Sequence, residues 1–297
     1  MLLSGRLLIL VLSCAVLAAP RLSGAQGCDR ACLAGALEAY LSALVAHNPA
    51  AAPLAPSFRY TENALEVKPG DGVWKSVTKL GAVQRRYVDA VTGQAAYFGI
   101  IEEGAEAGIA TLRLKVADRR ITEGELVIGR RADGVFSPEG LAANPPPEGP
   151  AAAEARTARE ALIAAANSYF DGLSAHRNDV VLAVPGCIRI ENGVRMTGPT
   201  AGRNGAPPVD RGDCANVSGM SQISGVSNRR FLVADEVAGV VLGMGVFNRP
   251  PGAARADGTL WPRNLLTEIF AVDTGRIRGI WAAMHYMVPD VPTAPGW

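Results

Sequence analysis

Several residue types are scarce in this chain of 297 residues, and each scarcity excludes a class of function. The chain has 3 histidines and contains no HxH or HxxxH pattern, which argues against a dedicated zinc or iron site. The 29 Lys and Arg residues nearly balance the 28 Asp and Glu residues, so binding to nucleic acid by phosphate neutralisation is not expected. The sequence also has no GxSxG motif, no Walker loop and no GxGxxG motif at a strand–helix junction. We therefore expect no metal ion and no other cofactor.

The remaining composition is that of a well-folded protein. Hydrophobic residues make up 48% and charged residues 19% of the chain, so a sizeable core can be buried and disorder is excluded as the main state. A chain of this length forms one large domain or two ordinary ones. The 33 glycines and 20 prolines predict many turns, without a collagen-like period.

Residues 1–25 have the pattern of a secretory signal peptide. Arg6 precedes a short apolar run over residues 7–12, and small residues at positions 23–25 allow cleavage before Gln26. A membrane anchor needs about 20 apolar residues, and this run is interrupted too early; lipid attachment at Cys14 is a further alternative. No second run approaches membrane-spanning length. We expect an exported protein, periplasmic or secreted, with 27 basic and 28 acidic residues after cleavage.

Export changes the interpretation of the cysteines. Four remain after cleavage, and an even number in an oxidising compartment predicts disulfides. They are Cys28, Cys32, Cys187 and Cys214. Three pairings are possible, and the local one joins the first two and the last two. A zinc site is disfavoured because no histidine lies close in sequence to any of the four.

The rest of the chain contains an internal repeat. Residues of the same type recur in the same order, at an offset that changes from 129 to 146 and then to 156 residues. The pairs include Leu33/Leu162, Tyr40/Tyr169, Leu44/Leu173, His47/His176, Pro56/Pro185, Glu62/Glu191, Asn63/Asn192, Asp89/Asp235, Gly93/Gly239, Gly99/Gly245, Val116/Val272, Arg120/Arg276 and Ile121/Ile277. A common order that shifts only at insertions indicates duplication. We predict one domain over residues 26–136, a proline-rich linker over 137–153 and a second domain over 154–297.

The order of elements in each repeat predicts an α+β fold. An amphipathic helix comes first and is followed by a second short helix or turn, near residues 48–55 in the first repeat. The predicted strands cover residues 58–62, 85–88, 95–102, 110–116 and 120–128, and the second repeat ends with strands at 268–272 and 276–284. Asp89 and Asp235 open turns that have a glycine four residues later, so we expect structural roles for both. Helices followed by antiparallel strands are not the alternation of a parallel sheet.

This pattern resembles the nuclear transport factor 2-like superfamily, in its SnoaL-like branch. More narrowly, several short segments are similar to an uncharacterised tandem family of that branch. They are Cys28-Asp-Arg-Ala-Cys32-Leu33, Ala46-His47, Thr61-Glu62-Asn63, Gly72-Val73-Trp74, the turn from Asp89 to Gly93, Glu191-Asn192-Gly193, Cys214, Arg229-Arg230-Phe231, Asp235-Glu236 and Gly296-Trp297. The resemblance implies two tandem cone-shaped α+β barrel domains, each with N-terminal helices packed on a curved antiparallel sheet around an apolar pocket. Superfamily members carry out isomerisation, dehydration or aldol-type chemistry without cofactors, and others only bind ligands or pair subunits.

Glu62, Glu191 and His285 are the candidate proton-transfer residues. The two glutamates occupy equivalent strand positions, and a carboxylate facing an apolar interior has a raised pKa and can act as a general base. The alternative is that each glutamate caps or pairs with its surroundings. His285 follows Trp281 and Ala283 on one face of the last strand, so we expect all three to line the second pocket, where a histidine can act as acid or base. An ordinary structural histidine is the alternative.

The other candidates are aromatic residues and arginines. Tyr40 and Tyr169 occupy matching helix positions, from which a hydroxyl could polarise a substrate carbonyl, although a core role is the alternative. Arg189 could stabilise an oxyanion, and both Arg189 and Arg230 could bind a ligand carboxylate or pair with a nearby acid. Candidate walls for a planar or hydrophobic ligand are Trp74, Tyr97 and Trp281.

Two functions are compatible with these residues. The first is an exported, cofactor-independent lyase or isomerase that acts on a small hydrophobic molecule, aromatic ones included, by proton abstraction, elimination or dehydration. The second is a non-catalytic ligand-binding or scaffold protein, in which the duplicated domains pair with each other or form a homo-oligomer. The first predicts titratable side chains that converge on one spot, and the second does not.

Overall fold

Each half of the chain folds as a helix followed by a six-stranded sheet, in a computed structural model that describes residues 27–200, 209–254 and 257–287. The predicted signal peptide, residues 1–25, lies outside the described residues. No helix in the described part of the chain is long and apolar enough to cross a membrane. We refer to the two halves as domain 1 and domain 2, in chain order.

Domain 1 contains two α-helices and six strands. They are α1 (Arg30–Val45), β1 (Leu54–Glu62), β2 (Leu65–Glu66), α2 (Val73–Ser76), β3 (Lys79–Asp89), β4 (Gln94–Glu103), β5 (Glu106–Ala117) and β6 (Arg120–Gly129). The strand order in the sheet is β2-β1-β6-β5-β4-β3. Strand β1 runs parallel to β6, and the other neighbours are antiparallel. The parallel pair exists because the chain crosses from β1 to the far edge of the sheet before it returns.

Domain 2 repeats this plan after a linker with a short helix, α3 (Pro138–Ala143). Its elements are α4 (Arg159–Ala175), β7 (Ala183–Glu191), β8 (Val194–Arg195), β9 (Pro199–Thr200), β10 (Val209–Asp210), β11 (Gly225–Asp235), β12 (Val240–Asn248), β13 (Asn264–Asp273) and β14 (Arg276–Tyr286). The main sheet has the order β11-β12-β13-β14-β7-β8, which is the order of domain 1. Strands β9 and β10 form a small separate ladder.

The first helix of each domain packs its apolar side chains on one face of its sheet. Helix α1 begins at Asp29, whose carboxylate accepts a hydrogen bond from the backbone N–H of Cys32 at 2.9 Å, as an N-cap does. The buried residues of α1 recur at helical spacing and include Leu33, Leu37, Tyr40, Leu41 and Leu44. The equivalent residues of α4, among them Leu162, Tyr169 and Leu173, are buried in the same way. The helical part of the repeat therefore has a direct structural counterpart.

Both pairs of cysteines form the local disulfides. One joins Cys28 to Cys32 at the start of α1. The other joins Cys187 in β7 to Cys214, in the segment that leads to β11.

Each strand predicted from the sequence lies within an observed strand. Most observed strands are longer, because their ends carry polar or small residues that a pattern of apolar residues does not detect. The predicted short helix near residues 48–55 is a 3₁₀ turn over Pro49–Ala51, and β1 already begins at Leu54.

The two sheets pack face to face through the faces that do not contact the helices. Their shared core includes Phe98 and Ile100 of domain 1 and Val240, Leu242 and Ile269 of domain 2. Such packing buries both faces of the central strands, as in a sandwich. The duplicated domains therefore pair within one chain.

The pairing has an approximate two-fold symmetry. Thr111 and Thr267 are equivalent positions of the repeat, and their hydroxyl oxygens lie 2.7 Å apart across the interface. A residue can contact its own counterpart only close to the symmetry axis. The axis between the domains therefore passes near β5 and β13.

Two aspartates reinforce this symmetric interface. Asp235 accepts hydrogen bonds from the guanidinium of Arg30 at 2.8 and 3.0 Å, and Asp89 accepts one from Arg159 at 2.6 Å. Each aspartate also accepts from the backbone N–H that precedes the other, at 2.9 and 3.1 Å. Both carboxylates bind N–H groups of their own turns as well. Their role is structural, and it extends from the local turn to the contact between domains.

Candidate functional site

The strand register of domain 2 places two acids in one row across the sheet. The row runs across four neighbouring strands. Its members, in order, are Gly243 in β12, Glu268 in β13, Ala282 in β14 and Glu191 in β7. The row is on the face that packs against α4, since Ala282 belongs to the same apolar cluster as the buried residues of α4. Neighbouring strands are about 4.8 Å apart, so the two acids are about 10 Å apart at their Cα atoms. Their side chains rise into the same interior.

The equivalent row in domain 1 is filled by large side chains. It consists of Tyr97, Leu112, Leu126 and Glu62. All four positions match those of domain 2 at the offsets of the repeat. Glycine, glutamate and alanine thus replace tyrosine and two leucines in domain 2, and only the last acid is common to both. The interiors of the two domains are therefore built differently from the same fold.

Glu268 is the most unusual residue of this interior. It is 1% exposed, and neither of its carboxyl oxygens has a hydrogen-bond partner among the described residues. Burial raises the pKa of its carboxyl well above the ordinary value; the charge of Glu191 adds to this effect, and Arg189 opposes it. An unpaired carboxyl in an apolar site is more stable in its neutral form. Its surroundings therefore favour the neutral carboxylic acid, a form that can donate a proton or a hydrogen bond.

Sequence reasoning did not single out Glu268. Its strand reads Leu265-Leu-Thr-Glu-Ile-Phe270, in which the acid is the one charged residue. The signal that could have revealed it is a comparison of the two repeats at each position, because the counterpart of Glu268 is Leu112. A charged residue in place of a core leucine requires a compensating role.

Three of the predicted residues do come together beside this row. Arg189 forms an ion pair with Glu191, with Nε 3.0 Å from Oε1, and its Nη1 donates to the hydroxyl of Tyr169 at 3.1 Å. The same nitrogen lies 3.7 Å from the sulfur of Met220. Burial raises the pKa of Tyr169, with Arg189 acting against it, so the hydroxyl stays protonated. Because that hydroxyl accepts from Arg189, its own proton remains free to donate.

Aromatic rings border the row on the side of β12. Phe170 and Phe270 are in edge contact, with ring centroids 5.6 Å apart. Phe231 stacks on Phe170 at 5.9 Å. A Cβ atom on Gly243 would come within 2.9 Å of the ring of Phe270, so only glycine fits there. The interior of domain 2 thus combines one aromatic wall with a cluster of titratable groups.

In domain 1 the geometry favours the structural alternative for the predicted residues. Glu62 Oε1 accepts from the hydroxyl of Tyr60 at 2.9 Å and from the backbone N–H of Val73 at 2.7 Å. The carboxylate therefore holds the start of α2 in place. Trp74 donates its indole N–H to the hydroxyl of Tyr40 at 3.2 Å, and their rings are in edge contact at 5.0 Å. Both aromatic residues are fully buried in the core.

The expectation that His285 and Trp281 line the interior of domain 2 is wrong. Both lie on the other face of β14, and Trp281 belongs to the core between the two sheets. Its indole N–H donates to the carbonyl of Asn144 in the linker at 2.8 Å. His285 Nδ1 is 2.9 Å from a carboxyl oxygen of Asp133. Both faces of this strand are buried, so alternation of side chains could not show which face meets the helix.

The two remaining candidates also have partners within the protein. Arg230 binds both carboxyl oxygens of Glu125 across the domain interface, at 2.6 and 3.0 Å. Glu125 also pairs with the buried Arg113 of its own sheet. Tyr97 lies in the core of domain 1 and donates its hydroxyl to the carbonyl of Ile100 at 2.8 Å. Neither of the two candidates lies beside the Glu268 row.

The fold and this site define a tandem α+β protein with one acid-rich interior. A family model described as a domain of unknown function, DUF8021, matches residues 155–284, which is nearly all of domain 2. No curated protein matches the chain.

Solved structures similar to parts of this chain include two described as nuclear transport factor 2-like proteins and one designed protein. A protein of unknown function from Cytophaga hutchinsonii is 14% identical over 34% of this chain and 92% of its own, with a TM-score of 0.29. One from Burkholderia xenovorans is 13% identical over 46% and 90%, with a TM-score of 0.30. A de novo designed protein with a curved β-sheet is 16% identical over 34% and 88%, with a TM-score of 0.29.

Proposed function

We propose that domain 2 is a cofactor-independent lyase or isomerase for a small hydrophobic carbonyl compound. The observation that carries the proposal is the row of Gly243, Glu268, Ala282 and Glu191, in which small residues flank a buried, unpaired carboxyl. Retaining such a group without function would cost stability. The reaction takes place in the concave interior of a cone-shaped domain, and the aromatic wall supplies the hydrophobic contact.

The two carboxyl groups have different roles because their surroundings differ. Glu191 is ion-paired with Arg189, and 15% of its side chain is exposed, so a ligand reaches it first. Glu268 lies deeper, and burial raises its pKa well above the ordinary value, which favours its protonated form. Two carboxyl groups in different surroundings are a general arrangement for acid–base catalysis.

The proposed chemistry follows from these surroundings. Glu191 accepts a proton from the carbon next to the substrate carbonyl, and the electron pair of the C–H bond moves towards the carbonyl oxygen. Glu268 or the hydroxyl of Tyr169 donates a hydrogen bond to the developing oxyanion. In an isomerisation, Glu191 returns its proton to a different carbon. In a dehydration, Glu268 gives its proton to the departing hydroxyl group, which leaves as water.

Met220 is the side chain that must move when a ligand enters. It contacts Arg189, and the carboxyl oxygens of Glu268 are sealed from solvent. Methionine is unbranched and adapts its shape easily. A ligand that displaces it would reach Arg189 and Glu191 first and Glu268 behind them.

Proton exchange tests the proposal without knowledge of the natural substrate. The full-length protein is mixed in D2O with simple ketones such as 2-tetralone and cyclohexanone, and proton NMR follows the loss of signal next to the carbonyl. We expect the wild-type protein to accelerate exchange, and Glu191→Gln to reduce the acceleration by about 10²–10⁴-fold. Glu268→Gln should reduce it as well.

Glu62→Gln is the matched control, because Glu62 is the equivalent residue in the other domain. It should leave the exchange rate unchanged. Equal losses in Glu62→Gln and Glu191→Gln would contradict a site confined to domain 2. The absence of acceleration by the wild-type protein with every ketone would favour the non-catalytic alternative, which the pairing of the two sheets supports independently.

We also propose that the protein acts outside the cytoplasm, after removal of residues 1–25. The two disulfides support this compartment, since such bonds persist in oxidising surroundings. N-terminal sequencing of the protein recovered from the periplasm or medium tests the cleavage site, and Gln26 should be the first residue.

A further inference from the structure

A second polar group lies further along the same interior face of domain 2. Asn264 in β13 is opposite Tyr286 in β14 and opposite Phe247 in β12. Alternate residues of a strand share a face, so Asn264 is on the same face as Leu266 and Glu268. Four residues separate Asn264 from Glu268, which corresponds to about 13 Å along the strand.

The side chain of Asn264 links the polar groups at this end of the face. The residue is 1% exposed, and its Oδ1 accepts a hydrogen bond from Arg249. Its side chain also interacts with the hydroxyl of Tyr286, where it opposes the rise in the pKa of that hydroxyl. Its Nδ2 makes no close hydrogen bond among the described residues, so an acceptor on a ligand would bind a buried donor that is only weakly paired.

The guanidinium of Arg249 places a positive charge beside Asn264. Its Nε donates to the carbonyl of Pro262 at 2.9 Å and its Nη1 to the carbonyl of Gln222 at 3.1 Å. In the described part of the chain it forms no ion pair with an acid. A guanidinium has five N–H donors, so two remain for a further acceptor. Partial burial lowers the pKa of Arg249, with Tyr286 and Glu191 acting in the opposite direction, which means that an added anion would be favourable.

Electrostatic interactions connect these polar residues to the row that contains Glu268 and Glu191. Burial raises the pKa of Tyr286, and the charge of Glu191 adds to the increase. Tyr286 is therefore within electrostatic range of Glu191, and its hydroxyl stays protonated as a donor. Between the two polar groups the face carries Leu266 and Met284, which are opposite each other and buried. The interior thus has a polar end, an apolar middle and an acidic end.

We propose that the substrate carries an ionised carboxylate, which Arg249, Asn264 and Tyr286 bind, while its neutral carbonyl or hydroxyl reaches Glu191 and Glu268. This inference rests on the proposed function, because it adds the substrate class to the same interior. The Arg189–Glu191 pair is already neutral as a whole, so the acidic end does not attract the anion. The backbone positions of Asn264 and Glu268 are about 13 Å apart, so the spacing selects a somewhat shorter molecule with an apolar middle and polar groups at opposite ends.

Two fluorescent probes separate the ends of the site. 6-Hydroxy-2-naphthoate has a hydroxyl and a carboxylate at opposite ends of an aromatic pair of rings, and 2-naphthol lacks the carboxylate. The dissociation constants of both are measured with the full-length protein by fluorescence titration. We expect Arg249→Gln to weaken binding of the naphthoate by about tenfold or more and to leave 2-naphthol unchanged.

Arg263→Gln is the matched control, because it removes the same charge from an exposed position next to Asn264. It should change neither dissociation constant. Tyr286→Phe, which removes only the hydroxyl, should weaken the naphthoate selectively. Circular dichroism of each variant checks that it folds, and Tyr286→Phe keeps the test valid if Arg249→Gln does not fold.

The possible outcomes distinguish this inference from the proposed function. If Glu268→Gln weakens both probes while Arg249→Gln and Tyr286→Phe change neither, the carboxylate site is refuted and the acid row stands. If Arg249→Gln weakens the naphthoate alone while Glu268→Gln and Glu191→Gln change nothing, the carboxylate site stands and the proposed catalytic end is refuted. Equal effects of Arg249→Gln and Arg263→Gln would refute the carboxylate site.

Discussion

Replacing Glu268 by glutamine should change the way in which stability depends on pH. Burial holds the pKa of Glu268 well above 4.5 in the folded protein, whereas in the unfolded chain the group titrates near 4.5. Above that pH the unfolded chain therefore binds fewer protons at this position than the folded protein does. The free energy of unfolding then falls as the pH rises. Glutamine has the same shape and does not titrate, so the variant does not have this pH dependence.

The size of the effect follows from the linkage between protons and folding. Each pH unit between the two pKa values changes the contribution of one group by up to about 1.4 kcal/mol. From pH 5 upwards the stability of Glu268→Gln relative to the wild-type protein should therefore rise by up to about 1.4 kcal/mol per pH unit, until the pH passes the pKa of Glu268 in the folded protein. Glu268 is buried, and its two oxygens have no hydrogen-bond partner among the described residues, so little screening by solvent reduces this figure.

Urea denaturation followed by circular dichroism, at pH values from 5 to 8, measures the difference between the two proteins. Other titrating groups are common to both and cancel in that difference. Glu66→Gln is the control, because Glu66 is exposed, and its difference from wild type should stay constant with pH. A constant difference for Glu268→Gln as well would refute the argument, because it would mean that Glu268 is ionised in the folded state.

Three further predictions concern the two domains. Leu112→Glu places the same acid in the filled interior of domain 1, where it should lower the stability by about 3–5 kcal/mol at neutral pH. Glu268→Leu should instead stabilise domain 2. Thermal unfolding should therefore show a lower unfolding temperature for the first variant and a higher one for the second. Asp235→Asn removes the charge that pairs with α1 across the interface and should cost about 2–4 kcal/mol, measured by urea unfolding, and a neutral result would mean that the contact adds little to domain pairing. The double variant Cys187→Ser with Cys214→Ser should lose about 3 kcal/mol, measured by urea unfolding, and a stability equal to that of the wild-type protein would refute this estimate.

The repeat was the most informative feature of the sequence. It correctly related the helices α1 and α4 and the final hairpins, because identical apolar positions pack in identical ways. Asn63 and Asn192 illustrate the detail: each side chain binds both the N–H and the C=O of one residue in the last strand of its domain. The local disulfide pairing also matched, since short separations along the chain bring the cysteines together.

The assignment of side chains to a face was the part that failed. Trp281 and His285 alternate as expected, but the sheet packs on a helix at one face and on a second sheet at the other. Both environments are apolar, so a period of two shows which residues share a face and not what that face contacts. Arg230 could likewise be recognised as a paired charge, but its partner Glu125 belongs to the other domain.

The sequence by itself determined that this protein is two copies of an α+β unit with two disulfides, because periodicity, turn residues and cysteine spacing act locally. The tertiary structure decided which residues meet. Strand register brings Glu191 and Glu268 into one row across Ala282, although 77 residues separate the two acids in the chain. Burial then raises the pKa of Glu268 well above its ordinary value, and this follows from its surroundings rather than from the residue type.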